Sequence, residues 1–354
     1  MKSLNSLRNK IDEADRKIVA LLNARARVIL EIGASKRRAG GSTYCPDRER
    51  DVLRKIAALN KGPLDKNALA AVYREIMSGS LALEKHLKIA YLGPEATFTH
   101  QASIKRFGSQ VEYVPCEGIA DVFLHVERGD CDYGVVPIEN SIEGAVNHTL
   151  DMFMDSDLRI CSQVILDISH SLLARCAKKD IRRVYSKFEV FGQCRRWLQE
   201  NLPQAELIES SSTAKAAQIA SREKGAASIG SPLAAKIYGL TAVAKAIEDS
   251  PHNITRFFVI GKAEVPATGA DRTSLMFSIK DRVGALHEML VPFKKYGVNL
   301  DKIESRPSKR KAWDYYFFVD LEGHIDDPKV KKALGELENK CKFLKVLGSY
   351  PVGE

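Results

Sequence analysis

The chain has 354 residues, 45% of them hydrophobic and 28% charged, which excludes a disordered or fibrous protein and is enough for two or three domains. Lys and Arg outnumber Asp and Glu by 54 to 45, a net charge of +9 that admits nucleic acid, an acidic surface or anionic small molecules as partners. The basic residues gather only in short clusters such as Lys36-Arg37-Arg38 and Lys309-Arg310-Lys311, and only two Trp are available for stacking, so anionic metabolites fit better than nucleic acid.

Near the N-terminus the longest purely apolar run is residues 18–22, and nowhere do the roughly 18 apolar residues of a membrane span run together. A soluble, cytoplasmic protein without membrane contact is expected. The seven cysteines (45, 116, 131, 161, 176, 194 and 341) are odd in number and include no Cys-x-x-Cys, so reduced thiols are expected rather than disulfides or zinc. His287-Glu288 begins like the helix of a zinc protease, but Val291 stands where the second His belongs. Neither a metal site nor a cofactor is expected.

The first segment reads as helix. Leu4, Leu7, Ile11, Ala14, Ile18, Leu21, Arg25, Val28 and Ile32 keep a 3-4 spacing, and no Gly or Pro interrupts before Gly33. A helix of about 30–35 residues, roughly 50 Å long, is longer than a small domain is wide and must find a second protomer or a long antiparallel neighbour. Gly40-Gly41 ends it, Pro46 opens a second helix to about Asn60, and Asp65 caps a third. Arg25 and Ser80 interrupt apolar stripes, Lys36 returns to nearly the face of Arg25, and Glu84 lies one turn beyond Ser80. They predict a polar pocket inside a helical bundle, beyond what register alone requires.

From Leu87 the period changes. Strands over 88–92, 111–115, 132–137, 160–168, 169–173, 184–186, 206–209, 226–229 and 257–260 alternate with helices from about 99, over 119–127, around 191–202 and from 213. This predicts a two-lobed α/β domain with mostly parallel sheet and a cleft between the lobes. No Gly-x-Gly occurs, so hydride transfer on a dinucleotide is disfavoured. After a turn-rich stretch over 262–272, a strand (273–279), helix (285–296), strands (298–306 and 313–320), helix (328–339) and strand (343–348) give the β-α-β-β-α-β order of a ferredoxin-like fold. The expected division is 1–86, 87–265 and 272–354.

Five motifs carry a family resemblance: Gly93-Pro94-Glu95-Ala96-Thr97-Phe98-Thr99-His100, Ile138-Glu139-Asn140-Ser141-Ile142-Glu143-Gly144, Asn253-Ile254-Thr255-Arg256-Phe257, Gly284-Ala285-Leu286-His287 and Glu304-Ser305-Arg306-Pro307. The whole chain resembles the bifunctional chorismate mutase/prephenate dehydratases of phenylalanine synthesis, with a helical mutase of the all-α (AroQ) type, a two-lobed dehydratase like a periplasmic binding protein, and a C-terminal ACT domain. The resemblance implies two reactions, chorismate to prephenate and prephenate to phenylpyruvate with loss of water and carbon dioxide, feedback-inhibited by phenylalanine, in a homodimer or homotetramer. The rival of another class is a non-catalytic amino-acid or anion sensor on the same folds.

Chorismate rearranges by a pericyclic shift, so the mutase needs fixed cations and donors that hold the reactive conformer and stabilise charge growing on the ether oxygen. By the resemblance, Arg25 and the other protomer's Arg8 would bind carboxylates, Lys36 would reach the ether oxygen, Arg48 and Glu49 would line the pocket with Glu49 on the substrate hydroxyl, and Ser80 would hold a carboxylate. Cys45 stands where some members have Asp. Glu84 stands where some have Gln, and has to be protonated to donate to the ether oxygen; its bland alternative is an exposed helix residue paired with Lys88.

In the dehydratase the departing hydroxyl has to be protonated. The resemblance gives this to Thr255, which would either protonate or only orient the leaving group; Phe257 would pack near the ring, and Arg256 would be structural or anchor a carboxylate. Asn140 and Ser141, and Ser212 and Thr213, are read as each preceding a helix and binding substrate carboxylates, with plain helix capping as the alternative. Thr97 and Phe98 follow the first strand's Gly-Pro turn at the cleft. In the third domain Gly284, Ala285, Leu286, His287, Glu304, Ser305, Arg306 and Pro307 would bind phenylalanine between two ACT domains.

Overall fold

The structure, a computed structural model, describes residues 3–39, 44–279, 282–308 and 315–352. Gly40-Gly41, Trp313 and the Lys309-Arg310-Lys311 cluster lie outside them. The chain divides into two compact units, one of Met1–Leu87 with Phe107–Glu112 and the other of Lys88–Arg106 with Tyr113–Glu354.

The first unit is helical: α1 (Leu4–Ala39), α2 (Pro46–Leu59) and α3 (Lys66–Glu84). Pro46 occupies the first turn of α2, where its missing N–H costs nothing. Asp65 caps α3 by accepting from the Ala68 N–H at 2.8 Å. The 36 residues of α1 span about 54 Å, and the apolar stripe along it is not buried within the chain. Leu4, Ile11, Ile18 and Leu21 are 63, 60, 52 and 70% exposed. Burial is confined to the far end, where Tyr44 packs on Phe107 at 5.0 Å between ring centroids and Ser78 accepts from the Gln110 N–H.

The second unit continues with β1 (Lys88–Leu92), α4 (Phe98–Phe107), β2 (Glu112–Cys116), α5 (Ile119–Arg128), β3 (Tyr133–Asn140), β4 (Gly144–Ala145), α6 (Asn147–Asp155) and β5 (Arg159–Asp167). A second lobe follows: β6 (Ser171–Ala174), β7 (Arg183–Ser186), α7 (Phe188–Gln193), α8 (Arg195–Asn201), β8 (Glu206–Glu209), α9 (Thr213–Ala220), β9 (Ala226–Gly230), α10 (Pro232–Tyr238) and β10 (Thr241–Ala244). The chain then returns to the first lobe as β11 (Ile254–Gly261). It ends in β12 (Asp271–Ser278), α11 (Ala285–Tyr296), β13 (Leu300–Pro307), β14 (Tyr315–Glu322), α12 (Pro328–Glu338) and β15 (Phe343–Pro351).

The first-lobe sheet has the order β2-β1-β3-β11-β5, with β4 on β3, and the second-lobe sheet β10-β6-β9-β7-β8. Both are mixed, not mostly parallel as the pattern suggested. The chain leaves the first lobe along β5 and re-enters between β3 and β5, so β11 runs antiparallel to both neighbours. In the second lobe β6 is antiparallel to β9 and β10, while β7 runs parallel to β8 and β9. The helix expected around 191–202 is broken into α7 and α8 at Cys194. The third sheet, β13-β14-β12-β15, is antiparallel and ferredoxin-like.

The first-lobe sheet and the C-terminal sheet share a core on one side. Ile138, Leu150, Phe153 and Phe258 of the first lobe form one apolar cluster with Met276, Phe318, Leu347 and Tyr350 of the C-terminal sheet. The other face of that sheet is covered by α11 and α12 through Leu275, Phe277, Met289, Phe293 and Leu337. The first lobe therefore packs one sheet face on the C-terminal domain and leaves the strand ends of β3 and β11 for the cleft.

Candidate active sites

In the helical unit, Arg25 of α1 donates to the Ser80 hydroxyl of α3, which donates in turn to the Ile76 carbonyl at 2.8 Å. Three turns along α1, the Lys36 ammonium lies 3.9 Å from the Glu84 carboxylate and 3.4 Å from the Cys45 sulfur. The Glu84 side chain is only 7% exposed, which sets aside the exposed-helix reading. The sequence spacing thus sets Arg25 against Ser80 and Lys36 against Glu84 between α1 and α3. Arg48 and Glu49 stand in the first turn of α2, exposed and half-buried respectively. Arg8 is exposed near the other end of α1, 17 residues and about 25 Å from Arg25 along the axis, so one chain does not bring it to this pocket.

The second constellation lies at the ends of β3 and β11, where Thr255 pairs with Asn140 across the ladder. Asn140 Nδ2 donates to Thr255 Oγ1 at 2.8 Å and to Asn253 Oδ1 at 2.8 Å. Thr255 and Asn253 are 8 and 2% exposed, so these polar atoms are paired within the protein rather than with bulk water. Asn140 and Ser141 do not precede a helix, contrary to expectation. They end β3 and enter a turn in which Asn140 Oδ1 accepts from the N–H groups of Ile142 and Glu143, at 2.9 and 3.0 Å. Ser141 donates to the His252 carbonyl and accepts from the Ile254 N–H, pinning that turn to the start of β11.

Thr97 Oγ1 donates to the Leu92 carbonyl and accepts from the His100 N–H, which shapes the turn after β1. Ala96 holds φ at +74° there, a left-handed conformation that costs a non-glycine residue about 1–2 kcal/mol. The Phe98 ring meets the His170 ring edge-on at 5.6 Å, tying α4 to the passage between lobes. In the second lobe Ser212 caps α9 by accepting from the Lys215 N–H at 3.0 Å, and Thr213 is buried. Among the described residues no hydrogen bond joins either to Thr255, so capping is what the structure gives Ser212.

Arg256 and Phe257 take other places. Adjacent strand residues face opposite sides of a sheet, and Arg256 points away from Thr255 into the C-terminal domain. Its guanidinium donates to Gln163 at 2.8 Å, to the Asp320 carboxylate at 2.6 Å and to the Tyr350 hydroxyl at 2.8 Å. Those acceptors hold Arg256 cationic, its pKa raised against the opposing effect of burial, with Tyr350 and Asp320 as the favourable causes. As a carboxylate anchor for substrate it is already engaged. Phe257 is 1% exposed, a core residue of β11.

In the C-terminal domain Gly284, Ala285, Leu286 and His287 line a cavity of about 300 Å³ with Ile279, Arg282, Tyr315 and Phe317. Gly284 has φ +79°, a conformation that suits glycine at the start of α11. Glu304, Ser305, Arg306 and Pro307 lie on the edge strand β13 and do not line this cavity; Arg306 instead grips Asp151 of α6 at 2.9 and 3.1 Å. Among the described residues no cluster of His, Cys, Asp and Glu has the makings of a metal site, and no helix is long and apolar enough to cross a membrane.

The chain matches the family models for chorismate mutase type II over residues 7–85, prephenate dehydratase over 89–265 and the ACT domain over 273–339. It is 50% identical over 356 aligned residues to a bifunctional chorismate mutase/prephenate dehydratase of Aquifex aeolicus, covering 99% of this chain and 98% of that one. A Pseudomonas aeruginosa protein of the same description is 46% identical, covering 98 and 97%. The solved prephenate dehydratase of Arthrobacter aurescens in complex with L-Phe superposes with a TM-score of 0.70 at 35% identity, over 75% of this chain and 90% of that chain. With three family domains in order and identity sustained from end to end, this chain belongs to the bifunctional chorismate mutase/prephenate dehydratase family.

Proposed function

We propose that the chain carries out both reactions of its family, as isomerase in the helical unit and as lyase at Thr255, in the cytoplasm, and that phenylalanine acts back on it through the C-terminal domain. The working division is 1–86, 87–265 and 272–354. Neither reaction needs a cofactor: the first is a pericyclic shift and the second is driven by aromatisation.

In the mutase, Arg25 and Ser80 hold a substrate carboxylate, and Lys36 with Glu84 faces the ether oxygen, where charge grows in the transition state. Arg48 and Glu49 close the pocket, with Glu49 on the substrate hydroxyl. The exposed stripe of α1 and the distance between Arg8 and Arg25 support a dimer in which each chain lends Arg8 to the other's pocket. A tetramer of such dimers is compatible with the same contacts.

In the dehydratase, Thr255 Oγ1 gives its proton to the ring hydroxyl of prephenate as the C–O bond breaks and water leaves. The electron pair of the ring–carboxylate bond enters the ring, carbon dioxide departs, and solvent returns a proton to Thr255. Thr97, Phe98, Ser141, Ser212 and Thr213 complete the cleft. The observation that carries this reading is the 2.8 Å contact from Asn140 to the Thr255 oxygen, which accepts there and keeps its hydrogen to give. Phenylalanine would enter the cavity at Gly284–His287, with Glu304 to Pro307 supplied by a second chain.

Incubating the protein with chorismate, without nucleotide, and following prephenate and phenylpyruvate tests the reading. Both products should form, Thr255→Val should stop the second while sparing the first, and absence of both would favour the sensor.

A further inference from the structure

His170 stands where β5 of the first lobe passes to β6 of the second, and the sequence alone gave no reason to single it out. It is 1% exposed. Its Nε2 lies 2.9 Å from Gln193 Oε1 at the end of α7, and its ring meets Phe98. From there a line of side chains runs to Thr255, and the direction of every hydrogen bond in it is determined.

The direction is set at Asn140. Its Oδ1 takes two backbone N–H groups, Ile142 and Glu143, which only donate, so its amide cannot be turned round. Its Nδ2 therefore spends its two hydrogens on Thr255 Oγ1 and Asn253 Oδ1. Asn253 must then present Nδ2 to Gln193 Oε1, at 3.0 Å. Gln193 must present Nε2 to the Glu143 carboxylate, at 3.1 Å, which agrees because a carboxylate accepts. What remains for His170 is to donate Nε2–H to the same Gln193 oxygen. Its Nδ1 then carries no hydrogen, and that atom has no partner among the described residues. Burial lowers the pKa of His170, in keeping with a neutral ring. At the other end Thr255 receives a hydrogen bond, and among the described residues no acceptor takes its own hydroxyl hydrogen.

We propose that His170 is a positioning residue of the dehydratase: by donating to Gln193 it anchors the Gln193–Asn253–Asn140 line in the place where the Thr255 hydroxyl, accepting from Asn140, is a donor toward the substrate. This rests on the reading of Thr255 as the acid. The line also joins the two lobes, because Gln193 belongs to the second and Asn140, Asn253 and Thr255 to the edge of the first. Without the donor at 170, Asn140 and Glu143 still set the direction of the line, but Gln193 Oε1 keeps one partner and the place of Gln193, and through it of Asn253 and Asn140, is no longer fixed from that side.

The test compares His170→Gln, whose amide N–H restores a donor, with His170→Met, which fills space and donates nothing. Steady-state dehydratase kinetics on prephenate, with the thermal midpoint of each variant, supply the readout. His170→Met should lower kcat about tenfold or more with KM within about threefold, a misplacement of the acid and not a loss of binding. His170→Gln should keep kcat within about threefold. Should His170→Met fail to fold, Gln193→Met removes the oxygen that both His170 and Asn253 address and should give the same kcat loss.

Equal kinetics for the Gln and Met variants, or a loss confined to KM, would overturn the proposal. Thr255→Val, measured alongside, separates the two readings. If it retains full activity, the acid assignment fails and the positioning role fails with it; if it is inactive while His170→Met is not, only the positioning role fails.

Discussion

Arg256 and Asp320 form a 2.6 Å ion pair between the strand that carries Thr255 and the C-terminal domain, and both side chains are 10% exposed or less. Asp320 also accepts from the Ser274 hydroxyl at 2.5 Å, and Tyr350 touches both Arg256 and Ser274. A second link runs from Glu139, the neighbour of Asn140, to Lys302 of β13 at 3.0 Å. Each of the two strands that reach the cleft with one residue thus reaches the C-terminal sheet with the next.

Removing one partner of a buried pair leaves the other charged and unsolvated. Asp320→Asn should therefore destabilise the dehydratase–ACT unit by about 3–5 kcal/mol, read as a drop in its denaturant midpoint. Loss of less than about 1 kcal/mol would mean that water reaches Arg256 and replaces the carboxylate.

The mutase prediction concerns two arginines on one helix. Arg25→Ala should abolish mutase turnover, at a cost of several kcal/mol in kcat/KM, and leave the dehydratase intact. Arg8→Ala should do likewise. Mixing the two inactive variants should restore up to about a quarter of native activity, since random pairing makes half the dimers mixed and each mixed dimer has one complete pocket. Failure to recover any activity from demonstrably mixed dimers would assign Arg8 to its own chain's pocket or to none.

Glu84→Gln replaces a carboxylate that faces Lys36 by an amide that always donates. Mutase kcat/KM should stay within about threefold of native, and its profile on the basic side should be flat because the amide has no proton to lose. A basic-side decline identical in native and variant enzyme would show that Glu84 is not the donor to the ether oxygen.

Stability should fall in acid through two histidines. Burial lowers the pKa of both His100 and His170 below the ordinary 6.5, against the raising influence of Glu95 and Glu248 respectively. The unfolded chain then binds more protons than the folded one below about pH 6.5. Their contribution is complete above that pH and is lost as pH falls through it, at up to about 1.4 kcal/mol per pH unit for each histidine. His100→Asn should flatten that slope in a denaturation series from pH 7 to 5; an unchanged slope would locate the acid sensitivity elsewhere.

Much of this architecture could be read from the chain because it follows local rules. The cap at Asp65, the Pro at the start of α2 and the switch from helical to strand period at Leu87 are written in neighbouring residues. Arg25, Ser80, Lys36 and Glu84 were legible because polar residues at helical spacing on an apolar stripe must share a face. The antiparallel return of β11 was not, because a fully buried strand looks alike in either direction and its neighbours lie about 90 to 120 residues away. For Arg256 the motif fixes a position beside Thr255 and leaves a structural role and a carboxylate anchor both open; the sheet decides which face it takes and gives it structural partners. His170 and Gln193 gave no signal, since lone polar residues in an α/β stretch acquire meaning only when the fold sets them in line.

The position of β11 also bears on the order in which the nascent chain can fold. Helices α1 to α3 leave the ribosome first, whereas the strand that separates β3 from β5 is made about 90 residues after β5. At 5–20 residues per second that interval is roughly 5–20 s. During it the newly made β3 and β5 each present an edge that has no native neighbour, the kind of surface on which strands of another chain assemble. The strand that carries Thr255 therefore closes the sheet as well as the candidate site, and a ribosome stalled before Ile254 would display two open strand edges and no Thr255.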